Sequence, residues 1–558
     1  MGDITDITVF PARRIVTMDA AQPTVEAVAV ADGRILAAGS LDECRSWGPH
    51  RLDERFADLV LVPGMIEAHA HSLEGAFALL PYVGWFDRHN AEGGTTPGIR
   101  TYADLLDRLR ALDAETAGSS EPIVAGGFDP IYFRDEERLT KEHLDRVSTT
   151  RPIFLFHASA HLATVNSAML ELHGIDQDAT TPGVARGPDG TPSGELQEMP
   201  AMALAGSALA VILRAINDPA AIGTLGQICV NQGITALTDL AAAGLQRPES
   251  QELWRRLVER PDYPARVFQR HINAMPPGAS TWDEAADALV DLGRDSGDKL
   301  RTVGLKVVLD GSIQGFTAKM DWPGYYTGSD HGIWMTDPTQ LLDICRPFHE
   351  RLVNIHVHCN GDLTIDLWID TVERLLLETA WLDHRHTVQH SQLTKAHHFR
   401  RMAKLGMCAN IFTNHIWYWG DQHHDITVGP ERARRMEPCA TAEREGVSFS
   451  IHSDANVTPL GHLHTMWCAV NRLTPSGRVL GEGERISAES ALRAVTLGSA
   501  YQLHLDGELG SIECGKTADF TVLDDDPLEV DPLAIRDIGV WGTVVGGTPF
   551  EAKRPTST

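Results

Sequence analysis

The sequence predicts an α/β protein: a (β/α)8 TIM barrel with a small β-sandwich domain built from both termini. Three observations carry this reading. From about residue 60 to 505 short apolar runs alternate with helical stretches, the mark of repeated βα units and so of a parallel sheet. That many units in one stretch favour closure into a barrel over an open sheet. Both ends of the chain, by contrast, read as short strands with Gly turns. His, Asp and Lys also recur where apolar runs stop, and the 25 His gather at a few such places.

Taken in order, ITVFPARRIVTM and VEAVAVADGRILAAGS carry alternating or β-branched patterns, with Ala31-Asp32-Gly33-Arg34 as a hairpin signal. At the far end GSIECGKTADF leads into TVLDDDP and VWGTVVGGTPF, again short strands with Gly turns. Residues 1–60 and 505–558 are therefore assigned to the sandwich, and 61–504 to a barrel with insertions. Leu59–Val62 is apolar on both faces, as in a parallel strand covered by helices. Pro63 and Gly64 kink it, and a shorter strand from Met65 to Ala68 runs into His69-Ala70-His71. YADLLDRLRALDAET is helical, as is Asn166–Leu172, and SALAVILRAINDPAAIGTLGQICVNQ reads as helical packing. The strand candidates are PIVAGGFDP, RPIFLFHASAH, GITALTDLA, ARVFQRH, RTVGLKVVLDGS, LVNIHVHCNGD, RHTVQHSQL, MCANIF and VSFSIHSDA. They exceed the places in a barrel, so PIVAGGFDP, FLFHASAH or both are expected in an insertion.

At 558 residues, one large domain plus a smaller one is expected. Hydrophobic content of 43% and charged content of 22% are those of a folded globular chain. No run of apolar residues is long enough for a membrane span, and MGDITDITVF lacks the basic-then-apolar order of a signal peptide. Eight Cys without a CxxC pair suggest reduced thiols and a cytoplasmic setting. A net charge of −28 argues against nucleic acid or an anionic membrane as partner and favours solubility. The expected partner is a small-molecule substrate, and a homodimer is the default assembly.

Residues i and i+2 of a strand point to the same side, so His69 and His71 project together. Neutral imidazoles so placed suit a transition metal such as zinc, although a lone HxH is more often polar structure, so further ligands are needed downstream. Active sites of such barrels lie at the C-terminal ends of the strands. Those ends also carry Lys306, His358, His390 and Asp454, in VGLK, NIHVH, HTVQH and FSIHSD. Four His in one ring with an Asp and a Lys point to a metal centre.

The series VPGMIEAHAH, PIFLFHASAHLATVN, DGTPSGELQE, GLKVVLDGSIQGFTA, HVHCNGD, VQHSQL, HSDANVTP and GSIECGKTADFTVL resembles the amidohydrolase superfamily over nearly the whole length. Within it the chain is similar to the YtcJ-like (amidohydrolase family 3) group. HIWYWGDQH, His415–His423, further resembles members that include N-substituted formamide deformylases. The resemblance implies one or two divalent metal ions, zinc foremost. His69 and His71 match the pair holding the more buried metal, and His358 and His390 the ligands of the second. His356 points the same way as His358 and is its rival; His358 stands three residues before Gly361, where the motif puts the ligand. Lys306 matches a lysine that is carboxylated and bridges two metals. An ammonium cannot ligate a cation, whereas a carbamate's two oxygens can hold ions about 3.5–4 Å apart. An ion pair of Lys306 with Asp310 is the alternative.

Asp454 matches the last-strand carboxylate, expected to touch the first metal, take a proton from the attacking water and pass it to the departing amine. His161 would help polarise the carbonyl, or instead bond Ser159. The implied reaction is metal-hydroxide attack on a non-peptide C–N bond of a small amide, formamide or cyclic amide. Ester or carbamate hydrolysis, decarboxylation, and an inactive metal-binding scaffold are the rivals. Trp85, Phe86, Trp417, Tyr418 and Trp419 would form an aromatic mouth for substrate or pack loops onto the rim. Glu198, Gln314, Asp129 and Asp421 would make polar contacts there or serve caps and turns. Arg472 would meet a carboxylate or an acidic neighbour.

Overall fold

Eight parallel strands form the central sheet: β1 (Met65–Ala70), β2 (Ile234–Ala242), β3 (Arg266–Ile272), β4 (Leu300–Val308), β5 (Ile355–Cys359), β6 (Thr387–His390), β7 (Cys408–Ile411) and β8 (Phe449–Ile451). The computed structural model describes residues 6–328 and 332–554. Residues 1–5 and 555–558, which the sequence reading places in the terminal domain and at the leader position, lie outside them. Each strand pairs with the next, and the barrel closes where β1 meets the chain leaving β8: Ala70 bridges Ala455, and His71 N–H donates to Ala455 O at 2.5 Å. Helices such as Trp282–Arg294, capped by Thr281 and Glu284, and Asp362–Glu378 cover the outside. Their apolar stripes bury Leu289, Trp368 and Ile369 in one core with Leu305, Val357 and Val388 of the strands.

The barrel interior is polar. His69 Nδ1 lies 2.5 Å from Gln389 Oε1, a contact between β1 and β6 that can only cross the barrel. Gln389 Nε2 bonds His356 Nδ1 at 2.6 Å, Asn410 Nδ2 donates to Gln389 Oε1 at 2.9 Å, and Ser450 Oγ donates to Asn410 Oδ1 at 2.8 Å. Such a buried network holds its members in fixed orientations because each pairing lost would leave a desolvated polar group.

Between β1 and β2 the chain builds a separate five-stranded sheet, in the order Val184–Arg186, Pro192–Gln197, Leu162–Val165, Ile153–His157, Ile123–Phe128. Both surplus strand candidates therefore belong to an insertion. The apolar stretch that follows is two helices, Gly206–Ile216 and Pro219–Asn231, broken where Asp218 caps Pro219. Among the described residues no single helix is long and apolar enough to cross a membrane.

Strands from both termini share one sheet, ordered Thr548–Glu551, Val540–Val545, Phe520–Leu523, Val60–Pro63, Ile7–Val16, Thr24–Ala31, Arg34–Gly39, with His50–Leu52 beside Ile7–Val16. Asp32 (φ 51°) and Gly33 (φ 74°) make the expected tight hairpin. The far edge folds back: Ile35 N–H donates to Lys516 O at 2.9 Å, so one continuous path surrounds the core of Phe10, Phe56, Phe520 and Val544. Val60–Pro63 is buried on both faces as its composition requires, but it pairs with Arg14–Ile15 and with Phe520–Leu523 in this sheet, not in the barrel. Gly64 turns the chain from one sheet into the other, and a Cβ there would overlap the Thr235 hydroxyl.

A buried ion pair fastens the terminal sheet under the barrel. Arg266 of β3 meets Asp519 through Nε–Oδ2 at 2.7 Å and Nη2–Oδ1 at 3.3 Å, and Gly546 N–H adds a bond to Asp519 at 2.7 Å. Asp519→Ala would leave the buried Nε and Nη2 of Arg266 unpaired, with only the exposed Asp298 still on Nη1 at 3.2 Å, and should cost about 3–5 kcal/mol in a denaturant titration. A loss below about 1 kcal/mol, the size of an exposed pair, would contradict this.

Candidate metal centre

Alternation and register deliver the ring. Glu67, His69 and His71 share a face of β1 and its continuation, while β4 and β5 pair Lys306 with His356 and Val308 with His358. Cys359 of β5 then pairs with His390 at the end of β6. Asp454 follows β8 by three residues.

Its carboxylate sits at the middle. Asp454 Oδ1 lies 3.3 Å from His69 Nε2 and 3.2 Å from His71 Nε2, and Oδ2 lies 3.5 Å from His390 Nδ1. Lys306 Nζ is 3.3 Å from His69 Nε2. The His358 and His390 rings are 4.3 Å apart between centroids, and those of His69 and His390 4.5 Å. All six side chains expected at the ring thus converge on one rim. His356 does not join them: one layer down, its Nδ1 is engaged by Gln389 and its Nε2 lies 3.4 Å from Gln502 O. Asp310 does not pair with Lys306 either; it accepts backbone N–H bonds from Lys319 at 2.8 Å, Asn360 at 3.0 Å and Gly361 at 2.8 Å.

The electrostatics suit a cation. Burial drives the imidazoles of His69, His358 and His390 well below their ordinary pKa, with neighbouring His and Lys306 adding to it, so they stay neutral and able to ligate. Burial also lowers Lys306 to about 7. For Asp454, burial works to raise the pKa, but the hydrogen bond and charge of His71 outweigh it and hold the group ionised. Both His390 nitrogens are buried without a hydrogen-bond partner, and Asp454 Oδ1 has only the approaches of His71 Nε2 at 3.2 Å and His69 Nε2 at 3.3 Å. Orphaned lone pairs on neutral imidazoles and a carboxylate are what a divalent ion satisfies, so the residues fit the metal that the fold implies.

Local backbone strain collects here. His390 (φ 68°), Ser391 (φ 55°), Asp454 (φ 52°), Glu198 (φ 64°) and Ala160 (φ 59°) all lie in the left-handed region. Each such residue costs on the order of 1–3 kcal/mol and persists only where its surroundings impose it. At His390 the break in alternation lets consecutive residues, Gln389 and His390, both reach the interior.

The insertion contributes His161, whose Nδ1 lies 2.7 Å from Glu198 Oε2 and whose ring is 5.3 Å from that of His358. Burial opposes a charge on His161, but the Glu198 carboxylate outweighs it and raises the pKa. Beside the ring lies a cavity lined by Trp85, Phe86, Tyr132, Tyr418, Trp419 and Asn456. Trp419 Nε1 donates to Asp129 Oδ2 at 2.9 Å, and Trp85 stacks on Tyr132 at 5.4 Å. Gln314 lines a smaller neighbouring space with Asp129, His157 and Ser159.

Trp417 needs correction as a substrate contact, while Asp421 and Arg472 take structural roles. Trp417 faces away, against Trp467 (5.4 Å) and the Arg536 guanidinium (4.9 Å), because residues two apart on the helix His415–Gln422 lie on opposite sides. Asp421 braces loops, accepting from Thr474 Oγ1 at 2.9 Å and pairing with Arg478 at 3.2 Å. Arg472 meets no carboxylate; fully buried, it donates to the carbonyls of Leu480, Glu437 and Met436 at 2.7, 2.9 and 2.6 Å.

Two residues escaped the sequence reading. His452 stacks on His69 at 4.6 Å with both nitrogens unpartnered, and with His69 and His390 it could enclose an ion. The i, i+2 spacing to Asp454 in FSIHSD was its signal. Glu67 accepts the N–H groups of His69 and Ser453, each at 3.1 Å, and the Ser453 hydroxyl, tying β1 to the Asp454 loop.

Fold and site together define a (β/α)8-barrel protein whose C-terminal rim gathers residues able to hold a metal ion. A model of the amidohydrolase family matches residues 57–550, and the chain belongs to that family. It is 25% identical over 573 residues to an N-substituted formamide deformylase of Arthrobacter pascens, covering 98% of each chain. It is 23% identical to the putative amidohydrolase YtcJ of Bacillus subtilis (strain 168), covering 94% of this chain and 95% of that one. An uncharacterized metal-dependent hydrolase from Pyrococcus horikoshii OT3 shares the fold with a TM-score of 0.70 at 20% identity, over 94% of this chain and 99% of that one. Family and ligand cluster support metal-dependent hydrolysis as the chemistry.

If the rim binds a divalent ion, loaded protein should unfold at higher denaturant than chelated protein. A thousandfold excess over Kd corresponds to about 4 kcal/mol. Superimposable unfolding curves would contradict the assignment.

Proposed function

We propose that this protein hydrolyses a non-peptide C–N bond of a small molecule, an amide, formamide or cyclic amide, with Asp454 as general base and then acid. The observation that carries this is the Asp454 carboxylate, ionised in a buried site, one oxygen toward His69 and His71 and the other toward His390. His69, His71, Lys306, His358, His390 and Asp454 would hold one or two divalent ions, zinc foremost. Ions bound there lower the pKa of water to about 7 and polarise the substrate carbonyl.

The chain's own groups do the rest. Asp454 removes the proton from the water that attacks the carbonyl, then delivers it to the nitrogen as the C–N bond breaks. His161, kept protonated and oriented by Glu198, points a donor at the carbonyl oxygen as negative charge develops there. The neutral amine of Lys306 would add to CO2, forming an N–C bond and releasing a proton, and the carbamate would give that side chain oxygens able to hold a divalent ion. Trp85 and Trp419 offer flat apolar faces, and Gln314 a polar one, to the rest of the substrate, with the unpartnered Glu198 Oε1 beside His161 as a further acceptor. The name of the Arthrobacter pascens relative and the aromatic cavity favour an apolar or aromatic group on the nitrogen.

Screening N-substituted formamides and small amides against zinc-, manganese- and cobalt-loaded protein should find turnover. Asp454→Asn should lower kcat by roughly 10²–10⁴ while leaving the fold intact. An unchanged kcat would eliminate this base. Protein equilibrated with 13C-labelled CO2 should show a carbamate 13C resonance that Lys306→Ala lacks; no resonance in the parent would rule out the carboxylated bridge.

A further inference from the structure

The chain carries a net charge of −28, yet one open cavity of about 770 Å³ is lined by Lys395, Arg400, Arg432, Arg435 and Arg444. Only Asp362 and Glu484 among its lining residues are acidic. Asp362 is taken by Lys395 at 2.9 Å, and Glu484 by the Thr441 N–H at 2.9 Å and the Thr441 hydroxyl. Arg400 reaches a carboxylate outside the lining, Glu445 at 3.4 Å. Among the described residues the other three guanidinium groups have no carboxylate partner. Arg432 donates to the carbonyls of Val428 (3.0 Å) and Gly324, Arg444 donates to Thr441 Oγ1 at 2.8 Å, and Arg435 is exposed with no side-chain partner among the described residues. In a protein this acidic, three unpaired Arg facing one space are not accounted for by surface composition.

Arginine forks match the planar pairs of oxygens on a phosphate and bind them through two parallel N–H bonds. The cavity exceeds a bare phosphate and falls within the range of sites for small metabolites. At its rim Trp322 is 85% exposed, a large flat face with nothing against it. From these features we propose that the cavity binds a phosphorylated small molecule, its phosphate on Arg432, Arg435 and Arg444 and its body against Trp322. The site is distinct from the aromatic cavity beside the rim. Yet its walls include Asp362, at the start of the helix after β5, and Thr394, in the loop after β6, four residues beyond His358 and His390 respectively. A ligand there would bear on the loops behind two of the ring imidazoles.

The test titrates full-length protein with inorganic phosphate, ribose 5-phosphate and AMP at constant ionic strength, reading tryptophan fluorescence and thermal shift. All three should bind in competition, with AMP tightest and quenching strongest, and Trp322→Ala should remove the quench. Arg435→Gln, which breaks no contact in the fold, should weaken binding by roughly tenfold or more, the usual effect of losing a hydrogen bond to a charged group. Arg444→Gln should do the same, so a folding defect in Arg432→Gln leaves the test intact. Absence of saturable binding by all three compounds, or binding that survives Arg435→Gln and Arg444→Gln together, overturns the proposal. A dimer in sedimentation velocity that these substitutions dissociate would assign the cavity to a second copy's acidic surface and overturn it equally.

Discussion

A carboxylate held ionised out of water, with imidazoles on both sides of it, is the constraint on which the rest of this structure depends. Asp454 has one oxygen shared between His69 and His71 and the other facing His390, and burial keeps His69 and His390 neutral. An uncompensated buried charge is among the costliest features a fold can carry. A divalent cation held by this ligand set would compensate that charge. The neutral imidazoles and the unpartnered nitrogens of His390 say the same thing from the other side.

The remaining architecture supports that one spot. Beneath it, the chain of hydrogen bonds through Gln389, His356, Asn410 and Ser450 replaces the branched aliphatic layers that commonly fill such barrels. It fixes the ring of His69 through Nδ1, leaving Nε2 toward Asp454 and Lys306. Such outer contacts set tautomer and orientation as much as the ligands do. Above, the insertion between β1 and β2 reaches over to the segment after β7: Tyr132 Oη donates to Tyr418 O at 2.6 Å, and Asp129 accepts from Trp419. The aromatic cavity is therefore walled by segments more than 280 residues apart in sequence.

Much of this could be read from the chain, for definite reasons. Barrel strands end abruptly, so His69, His71, Lys306, His358, His390 and Asp454 stand at recognisable stops in apolar runs, and the two-residue period of a strand says which of them share a face. The period fails where the backbone leaves the regular strand: at His390 the left-handed turn brings Gln389 and His390 inward together, which no alternation rule foresees. Val60–Pro63 shows another limit. Burial on both faces was legible, but which sheet supplies the neighbours depends on contacts with Phe520–Leu523, far along the chain. Trp417 and Trp419 were treated alike because their sequence neighbourhood is the same, whereas the helix sends them to opposite sides. Arg472 was weighed only against carboxylates, and buried arginine is satisfied here by three carbonyls.

The most direct measurement is anomalous diffraction from crystals of metal-loaded protein, collected above and below the metal's absorption edge. The account predicts one or two peaks at the C-terminal rim, at about 2.0–2.2 Å from nitrogens of His69 and His71 or of His358 and His390, with Asp454 or Lys306 in contact. A fully loaded crystal with its only peaks elsewhere, for instance at the surface cluster Asp366, His397 and His398, would contradict it.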